Sequence, residues 1–364
     1  MRKILYFGSS KGIGLTYHLT KAAKYFHKLE GIELEVVSGV KEQFPGLFDE
    51  LTKNDVPYKK IEGIDEIEHF GASQREFVDY VKNFSPDIIH TQTNTHFLHS
   101  IFAKYRLKNN FKIFYTIHAY RHGAFLKSIY TSIIMSIILN IFADKVFVWS
   151  TFVKKHFKKF LLNKTYFLPM GYELKEKRVT RKNLSNIKIV YLAKFHKHKG
   201  HLWLLKALNP ILTANSDVNV VLPGEGKTLE KCKRFVYHNN IDSQVEFPGW
   251  IDRENVEAVL AEASIAIIPS RIETFGHNIV EPMFFKMPVI STKTGIAPDI
   301  IRDGYNGYLV DYRDTGGLRD KINKLINNRA RIKEMGNNAF NTVKRKLNWQ
   351  TIAFKYKEYL EQWL

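Results

Sequence analysis

The sequence predicts an α/β protein of two domains, each a parallel sheet with helices on both faces. Three observations carry this. Short apolar runs alternate with helical stretches along the chain. The alternation breaks once, at a polar and basic stretch over residues 173–186, and then restarts. The 364 residues fit two domains at roughly 100–200 residues each. Runs that are apolar at every position mark strands covered on both faces, as in sheets built from βαβ units.

Taken in order, residues 4–7 read as the first strand, followed by a glycine-containing loop and a helix over 19–29. Further strands fall at 34–37, 86–90, 112–116 and 145–149, and 166–169 closes the first sheet. The second series runs 187–192, 218–222, 245–247, 265–268, 289–291 and 307–310, with helices at 201–212, 227–238 and 253–262 between its strands. The end of the chain, 349–364, is amphipathic, with Ile352, Tyr356 and Leu360 four apart, and reads as a helix. These are two Rossmann-like domains, residues 1–180 and 181–345, followed by a terminal helix over 346–364. Ligands of open α/β sheets sit at the carboxyl ends of the strands. Two such domains facing one another make a cleft, and residues for chemistry belong just after the strands.

Apolar residues are 45% of the chain and aromatics 13%, enough for two cores and unlike a disordered chain. The formal charge of +19 favours anionic partners: nucleic acid, acidic headgroups or phosphorylated small molecules. No nucleic-acid-reading motif accompanies the charge, so no nucleic-acid partner is expected. The single cysteine, Cys232, excludes a disulfide within the chain and points to a reducing compartment, the cytoplasm. The apolar run at the N-terminus stops at Gly8, too short for a signal sequence, and reads as a buried strand. Residues 128–143 are strongly apolar but fall short of the ~18–20 a spanning helix needs. They read as a buried helix, with a membrane-surface helix as the alternative.

Gly8-Ser-Ser-Lys-Gly12-Ile-Gly14 follows a strand and opens a helix, a place where backbone approaches a phosphate closely. The spacing resembles the loop of short-chain dehydrogenases, which gives an NAD(P)-dependent oxidoreductase as the rival enzyme. Such enzymes also need a Tyr-x-x-x-Lys pair. Tyr17 and Lys21 have that spacing but lie inside the first helix, and residues 145–199 hold no such pair. That reading also leaves the second half without a role.

Three features of the second half converge on a sugar diphosphate. The loop Ala193-Lys194-Phe195-His196-Lys197-His198-Lys199-Gly200 follows a strand, and Lys194 and Lys199 can both reach a diphosphate. After the strand at 265–268, Glu273 precedes a helix opened by Phe275-Gly276 and carrying His277, Asn278 and Glu281. Gly276 lets a ligand approach the first N–H groups, whose dipole suits phosphate, while the two carboxylates accept from pairs of sugar hydroxyls. The third feature is the loop 291–299 after the next strand.

Together these residues resemble glycosyltransferase family 4, the retaining group 1 enzymes of GT-B fold. The E-x7-E segment stands as Glu273 to Glu281, with Phe275-Gly276 inside it. A Gly-Arg-…-Lys-Gly stretch appears as Ala193-Lys194-…-Lys199-Gly200, where lysine keeps the charge of arginine but not its bidentate geometry. Leu222-Pro-Gly224-Glu-Gly226 and Val245-Glu-Phe247-Pro-Gly249 match two further turns, and Met170-Gly171-Tyr172 stands where the family has Asn-Gly-Val. The first half matches more weakly, through 86–90, Thr116-Ile-His118 and Ala143-Asp144.

The resemblance implies a donor site in the second domain, an acceptor-side first domain, and a C-terminal helix crossing back to the first domain. It implies that Glu281 binds the donor ribose. Glu273, with Phe275, Gly276, His277 and Asn278, would hold the sugar and phosphate. Lys194 and Lys199 would neutralise the diphosphate. Gly224, Trp250 and Ile251 belong to the donor site, the latter two bordering the base. His118, at the carboxyl end of a first-domain strand, matches a histidine near the reacting sugar, and Gly12 and Gly14 would approach the phosphate from across the cleft. No Asp-x-Asp triplet occurs, so neither a metal nor a cofactor is expected. The expected partners are a nucleotide-sugar donor of UDP type and a glycan or lipid-linked glycan acceptor of cell-surface polysaccharide, such as lipopolysaccharide or capsule. The basic, aromatic stretch at 152–160 and the apolar stretch at 128–143 suggest peripheral contact with an anionic membrane at its inner face. A non-catalytic anion or nucleic-acid binder is the alternative that rests on charge alone.

Overall fold

The computed structural model describes residues 1–9, 13–40, 46–118, 125–158, 164–173 and 184–362. The chain divides into unit 1, Met1–Glu173 with Leu347–Leu364, and unit 2, Leu174–Lys346.

Unit 1 runs β1 (Arg2–Phe7), α1 (Ile13–Phe26), β2 (Ile32–Gly39), α2 (Leu47–Lys53), β3 (Tyr58–Ile61), α3 (Phe70–Phe84), β4 (Ile88–Thr91), α4 (Asn94–Leu107), β5 (Lys112–Ile117), α5 (Phe125–Phe142), β6 (Lys145–Val148), α6 (Thr151–Lys158) and β7 (Thr165–Phe167). Among the described residues its seven strands are all parallel, in the order β3-β2-β1-β4-β5-β6-β7. Successive residues of a strand feed opposite faces. Ile4, Tyr6, Leu34, Val36, Ile88, Phe114 and Phe147 form one core with α1 and α2, while Leu5, Phe7, Val37, Ile89, Ile113, Tyr115 and Val146 form the other with α3, α4 and α5. The strand over 58–61 is absent from the sequence expectation: its Lys59 and Lys60 break the apolar run. It is an edge strand, where lysines are tolerated and discourage further pairing.

Unit 2 runs β8 (Ile187–Val190), α7 (His201–Ala214), β9 (Val218–Val221), α8 (Leu229–His238), β10 (Val245–Glu246), α9 (Arg253–Glu262), β11 (Ile265–Ile268), α10 (His277–Phe284), β12 (Val289–Thr292), α11 (Ala297–Ile300), β13 (Gly307–Val310), α12 (Thr315–Ile326) and α13 (Arg329–Lys346). Its parallel sheet has the order β10-β9-β8-β11-β12-β13. The strand order reverses direction between β8 and β11, as it does between β1 and β4 in unit 1. Such a switch point splays apart the loops leaving its two strands and opens a crevice at their carboxyl ends.

The last helix, α14 (Trp349–Glu361), belongs to unit 1. It buries Trp349, Ile352, Ala353, Tyr356 and Leu360, and Tyr356 stacks on Phe26 with ring centroids 4.1 Å apart. His90 of β4 holds the helix to the sheet, its Nδ1 2.9 Å from the Tyr356 hydroxyl and its Nε2 2.8 Å from Thr116 Oγ1. Buried Lys145 donates to the Tyr359 carbonyl from among the rings of Phe114, Tyr166 and Tyr359, and burial pulls its pKa down to about 8. The stretch 128–143 departs from expectation. It forms a helix as far as Phe142, but from Ile133 onward Ile133, Ile134, Ile137 and Ile141 are exposed and only the other side is in the core.

Truncating Trp349 to Ala should cost unit 1 about 3–5 kcal/mol, the range for a large buried aromatic. Phe354→Ser, on the exposed face of the same helix, should change stability by under about 0.5 kcal/mol. Denaturant titration checks both, and equal effects would mean that α14 is not docked.

Unit 1 should also be acid-labile through buried neutral histidines. Burial, aided by the charge His18 would carry, takes His90 to about 3. Burial, with a smaller contribution from His96, takes His99 to about 4. A histidine whose folded pKa is depressed contributes stability fully present above about 6.5, which is lost as pH falls toward the folded value. Between pH 6.5 and about 4 each should cost about 1.4 kcal/mol per pH unit. Thermal unfolding from pH 7.5 to 4.5 measures this, and a flat profile would contradict it.

Candidate functional site

At the switch point of unit 2, the loop after β8 meets the loop after β11. Glu273 sits there nearly buried, 9% exposed. Its Oε1 accepts from Lys199 Nζ at 2.7 Å, from Ser270 Oγ at 2.7 Å and from Asn278 Nδ2 at 3.4 Å. All three bonds fall on one oxygen; among the described residues none is made to Oε2. The Glu273 N–H donates to Thr294 Oγ1 at 2.8 Å, so the loop after β12 fixes the backbone that carries the carboxylate.

The end of β8 itself braces the lysine. Tyr191, directly after β8, is buried; its hydroxyl donates to the Lys199 carbonyl at 2.9 Å and lies 2.7 Å from Ser270 Oγ. Burial first, and then the Glu273 charge, hold its pKa well above the ordinary tyrosine value, so it stays a neutral donor. His201 stacks on Phe195 with centroids 3.9 Å apart, below the same loop. Burial, then Lys199, take its pKa down to about 3, so it adds no charge beside Lys199. Tyr191, Ser270 and Thr294 escape motif reading. Their only sequence signal is position, each directly after or close behind the end of a strand.

Gly276, with φ +98°, is the N-cap of α10 and brings no capping side chain. Its left-handed backbone turns the chain from Phe275 into the helix. The Phe275 carbonyl accepts from the Ile296 N–H at 2.7 Å, seating the loop after β12 against this turn. Gly224 has φ +139°, and a Cβ there would lie 2.2 Å from the Ala193 carbonyl oxygen. Only glycine lets the turn after β9 pack against the lysine-bearing loop.

The site residues expected from the sequence divide clearly. Lys199 and Asn278 come together on the Glu273 carboxylate, while Phe275 and Gly276 form the turn into α10. Lys194 lies on the same loop as Lys199 but is exposed and makes no bond to Glu273. His277 and Glu281 lie on α10, His277 exposed and Glu281 half-buried. Trp250 and Ile251 follow β10, with Trp250 66% exposed.

In unit 1, His118 follows β5. Its ring lies edge-on to Trp149 with centroids 4.3 Å apart and to His18 at 5.3 Å, and among the described residues neither nitrogen has a hydrogen-bond partner. Burial, then His18 and His90, hold its pKa well below the ordinary value, so it is a neutral imidazole. Gly14 lies in the first turn of α1, and Gly12 lies outside the described residues. Groups of three or more metal-ligating side chains are absent among the described residues.

Two family models match: glycosyl transferases group 1 over residues 173–342 and glycosyltransferase family 4 over residues 13–176. An uncharacterised glycosyltransferase of Methanocaldococcus jannaschii is 32% identical over 173 residues, 48% of this chain and 47% of that protein. N-acetyl-alpha-D-glucosaminyl L-malate synthase of Bacillus anthracis is 27% identical over 169 residues, 46% of this chain and 44% of that protein. The chain thus spans about half the length of these curated relatives. Over its whole length the fold is similar to that of Anabaena HepE solved with UDP, at TM-score 0.77 and 17% identity, with all of both chains covered. Two adjoining family models over nearly the whole chain, on two doubly wound parallel sheets, place it in one family: the chain belongs to the group 1, family 4 glycosyltransferases of GT-B fold.

Proposed function

We propose that the chain transfers a hexose-type sugar, with retention, from a nucleotide-sugar of UDP type to a glycan or lipid-linked glycan in cell-surface polysaccharide synthesis, without metal or cofactor. The observation that carries this is the Lys199–Glu273 pair, held at the switch point of unit 2 beside the start of α10. The UDP bound to the similarly folded Anabaena protein supports a nucleotide donor.

The chemistry follows from charge. Breaking the bond at the anomeric carbon leaves negative charge on the diphosphate. Lys199, Lys194 and the N–H groups opening α10 are the groups assigned to stabilise it. Lys199 is already oriented by Glu273 and Tyr191, so little reorganisation accompanies charge development. Glu273 Oε2 is assigned to accept a hydroxyl of the donor sugar, Glu281 those of the ribose, and Trp250 and Ile251 border the base. His118 of unit 1, a neutral imidazole, is assigned the hydrogen bond to the sugar that the resemblance implies for it. No carboxylate nucleophile is assigned. The departing diphosphate oxygen takes the acceptor hydroxyl's proton on the face that the leaving group vacates, which retains configuration.

Incubation with a panel of nucleotide sugars should release nucleoside diphosphate, fastest with UDP-sugars, and the product should be the retained anomer by NMR. Glu273→Gln should lower kcat/KM by about 30- to 1000-fold, the loss of a charged contact made to the transition state. Full activity in Glu273→Gln, an inverted product, or NAD(P) binding in place of nucleotide-sugar turnover would overturn the reading.

Ser270 and Thr294 are positioning residues, acting through Glu273. Ser270→Ala and Thr294→Val should each lower kcat/KM by about tenfold, one lost hydrogen bond. Thr294→Ser should restore it. Failure of that rescue would assign Thr294 to packing alone.

A further inference from the structure

A helix that is apolar on all sides is expected inside a core. Helix α5 is not. Its segment from Ile133 onward is mostly apolar, and one side is packed, with Ser136 and Leu139 buried and Ala143 buried just past its end. The other side exposes Ile133 at 37%, Ile134 at 38%, Ile137 at 44% and Ile141 at 64%. The neighbouring α4 repeats the pattern. Leu98, Phe102 and Tyr105 stand four and three apart on its outer face, exposed at 39%, 46% and 71%. The two stripes meet where the Tyr105 and Phe142 rings lie 6.3 Å apart. Scattered apolar residues on a surface need no explanation, but two adjoining stripes of them do.

Charge surrounds this face on one side. A cavity of about 370 Å³ opens between the ends of α4 and α5, and among its lining residues are Lys104, Lys108, Lys164, Ile141 and Asp144. Lys164 is fixed there, its Nζ donating to the Asn140 and Ala143 carbonyls at 2.9 Å each. Asp144 is shared: it lies 3.9 Å from Lys104, 3.4 Å from Lys112 outside the cavity, and accepts from the Ile113 N–H at 2.9 Å. Three lysines thus line the cavity together with one carboxylate, which Lys112 already shares. Burial holds the Lys104 pKa below its ordinary value; Asp144 opposes that and Lys112 reinforces it. The cavity is short of negative charge and sits beside exposed aliphatic side chains.

We propose that the α4–α5 face docks on the surface of an anionic phospholipid bilayer, with the isoleucines at the acyl boundary and a lipid phosphate in the lysine-lined cavity. The occupant follows from charge: a second copy would bring like-charged lysines together around the same patch, whereas a phosphate surface neutralises them. The contact is peripheral, since among the described residues no helix is long and apolar enough to cross a membrane. It is independent of the transfer reading, and the two fail by different measurements: nucleoside diphosphate release for one, vesicle binding for the other.

The test is flotation of the full chain with vesicles of phosphatidylcholine alone and of phosphatidylcholine mixed with phosphatidylglycerol. Binding should require phosphatidylglycerol and weaken as salt rises. Lys104→Gln with Lys108→Gln should weaken it about 25-fold, roughly fivefold per lysine near an anionic surface. Ile137→Ser with Ile141→Ser should weaken it by at least about tenfold while leaving circular dichroism and nucleoside diphosphate release unchanged. Equal binding to both vesicle types, no binding to the phosphatidylglycerol vesicles, or sedimentation as a dimer that the isoleucine substitutions dissociate would each overturn the proposal.

Discussion

The site depends on one ion pair in a nearly buried place. Lys199 and Glu273 come from loops leaving two adjacent strands, β8 and β11, and meet at 2.7 Å. Removing such charges from water costs several kcal/mol per ion, which only good geometry and extra hydrogen bonds offset. Ser270, Asn278, Thr294 and Tyr191 supply those bonds, either to the carboxylate or to the backbone beneath the pair. A hydrophobic pair of the same volume would pack there at less cost. The expense is intelligible if the two charges are kept for a ligand that carries both hydroxyls and phosphates.

The fold makes that meeting possible. A parallel sheet puts every strand's carboxyl end on one edge, and the reversal of strand order between β8 and β11 opens a crevice there, where Lys199 and Glu273 meet. Unit 1 repeats the plan with different chemistry at its edge. Two of its buried histidines are neutral: His90 serves as a hydrogen-bonded strut to α14, and His118 sits against Trp149, its nitrogens without a hydrogen-bond partner among the described residues. Histidines that look equivalent in composition thus differ in what their surroundings allow them to do.

Most strands were legible because strands covered on both faces are continuous aliphatic runs, such as Ile265–Ile268. The exception was Tyr58–Ile61, whose lysines suit an edge and hide the pattern. The E-x7-E segment was legible because a glycine-opened helix after a strand constrains few residue types. Which lysine would meet Glu273 was not: Lys194 and Lys199 share one loop, and the turn between them, not their spacing, selects Lys199. Ser270, Thr294 and Tyr191 are common residues whose roles arise only when three loops converge. The exposure of α5 was also invisible, because its aliphatic sequence is the same whether protein or another apolar surface covers it.

The most direct measurement of the central claim is a crystal structure of the full chain with a bound nucleoside diphosphate. The account predicts the diphosphate within hydrogen-bonding distance of Lys199 and the first N–H groups of α10, with the ribose hydroxyls on Glu281. A nucleotide bound instead along the glycine loop after β1, with the loops after β8 and β11 empty, would contradict it.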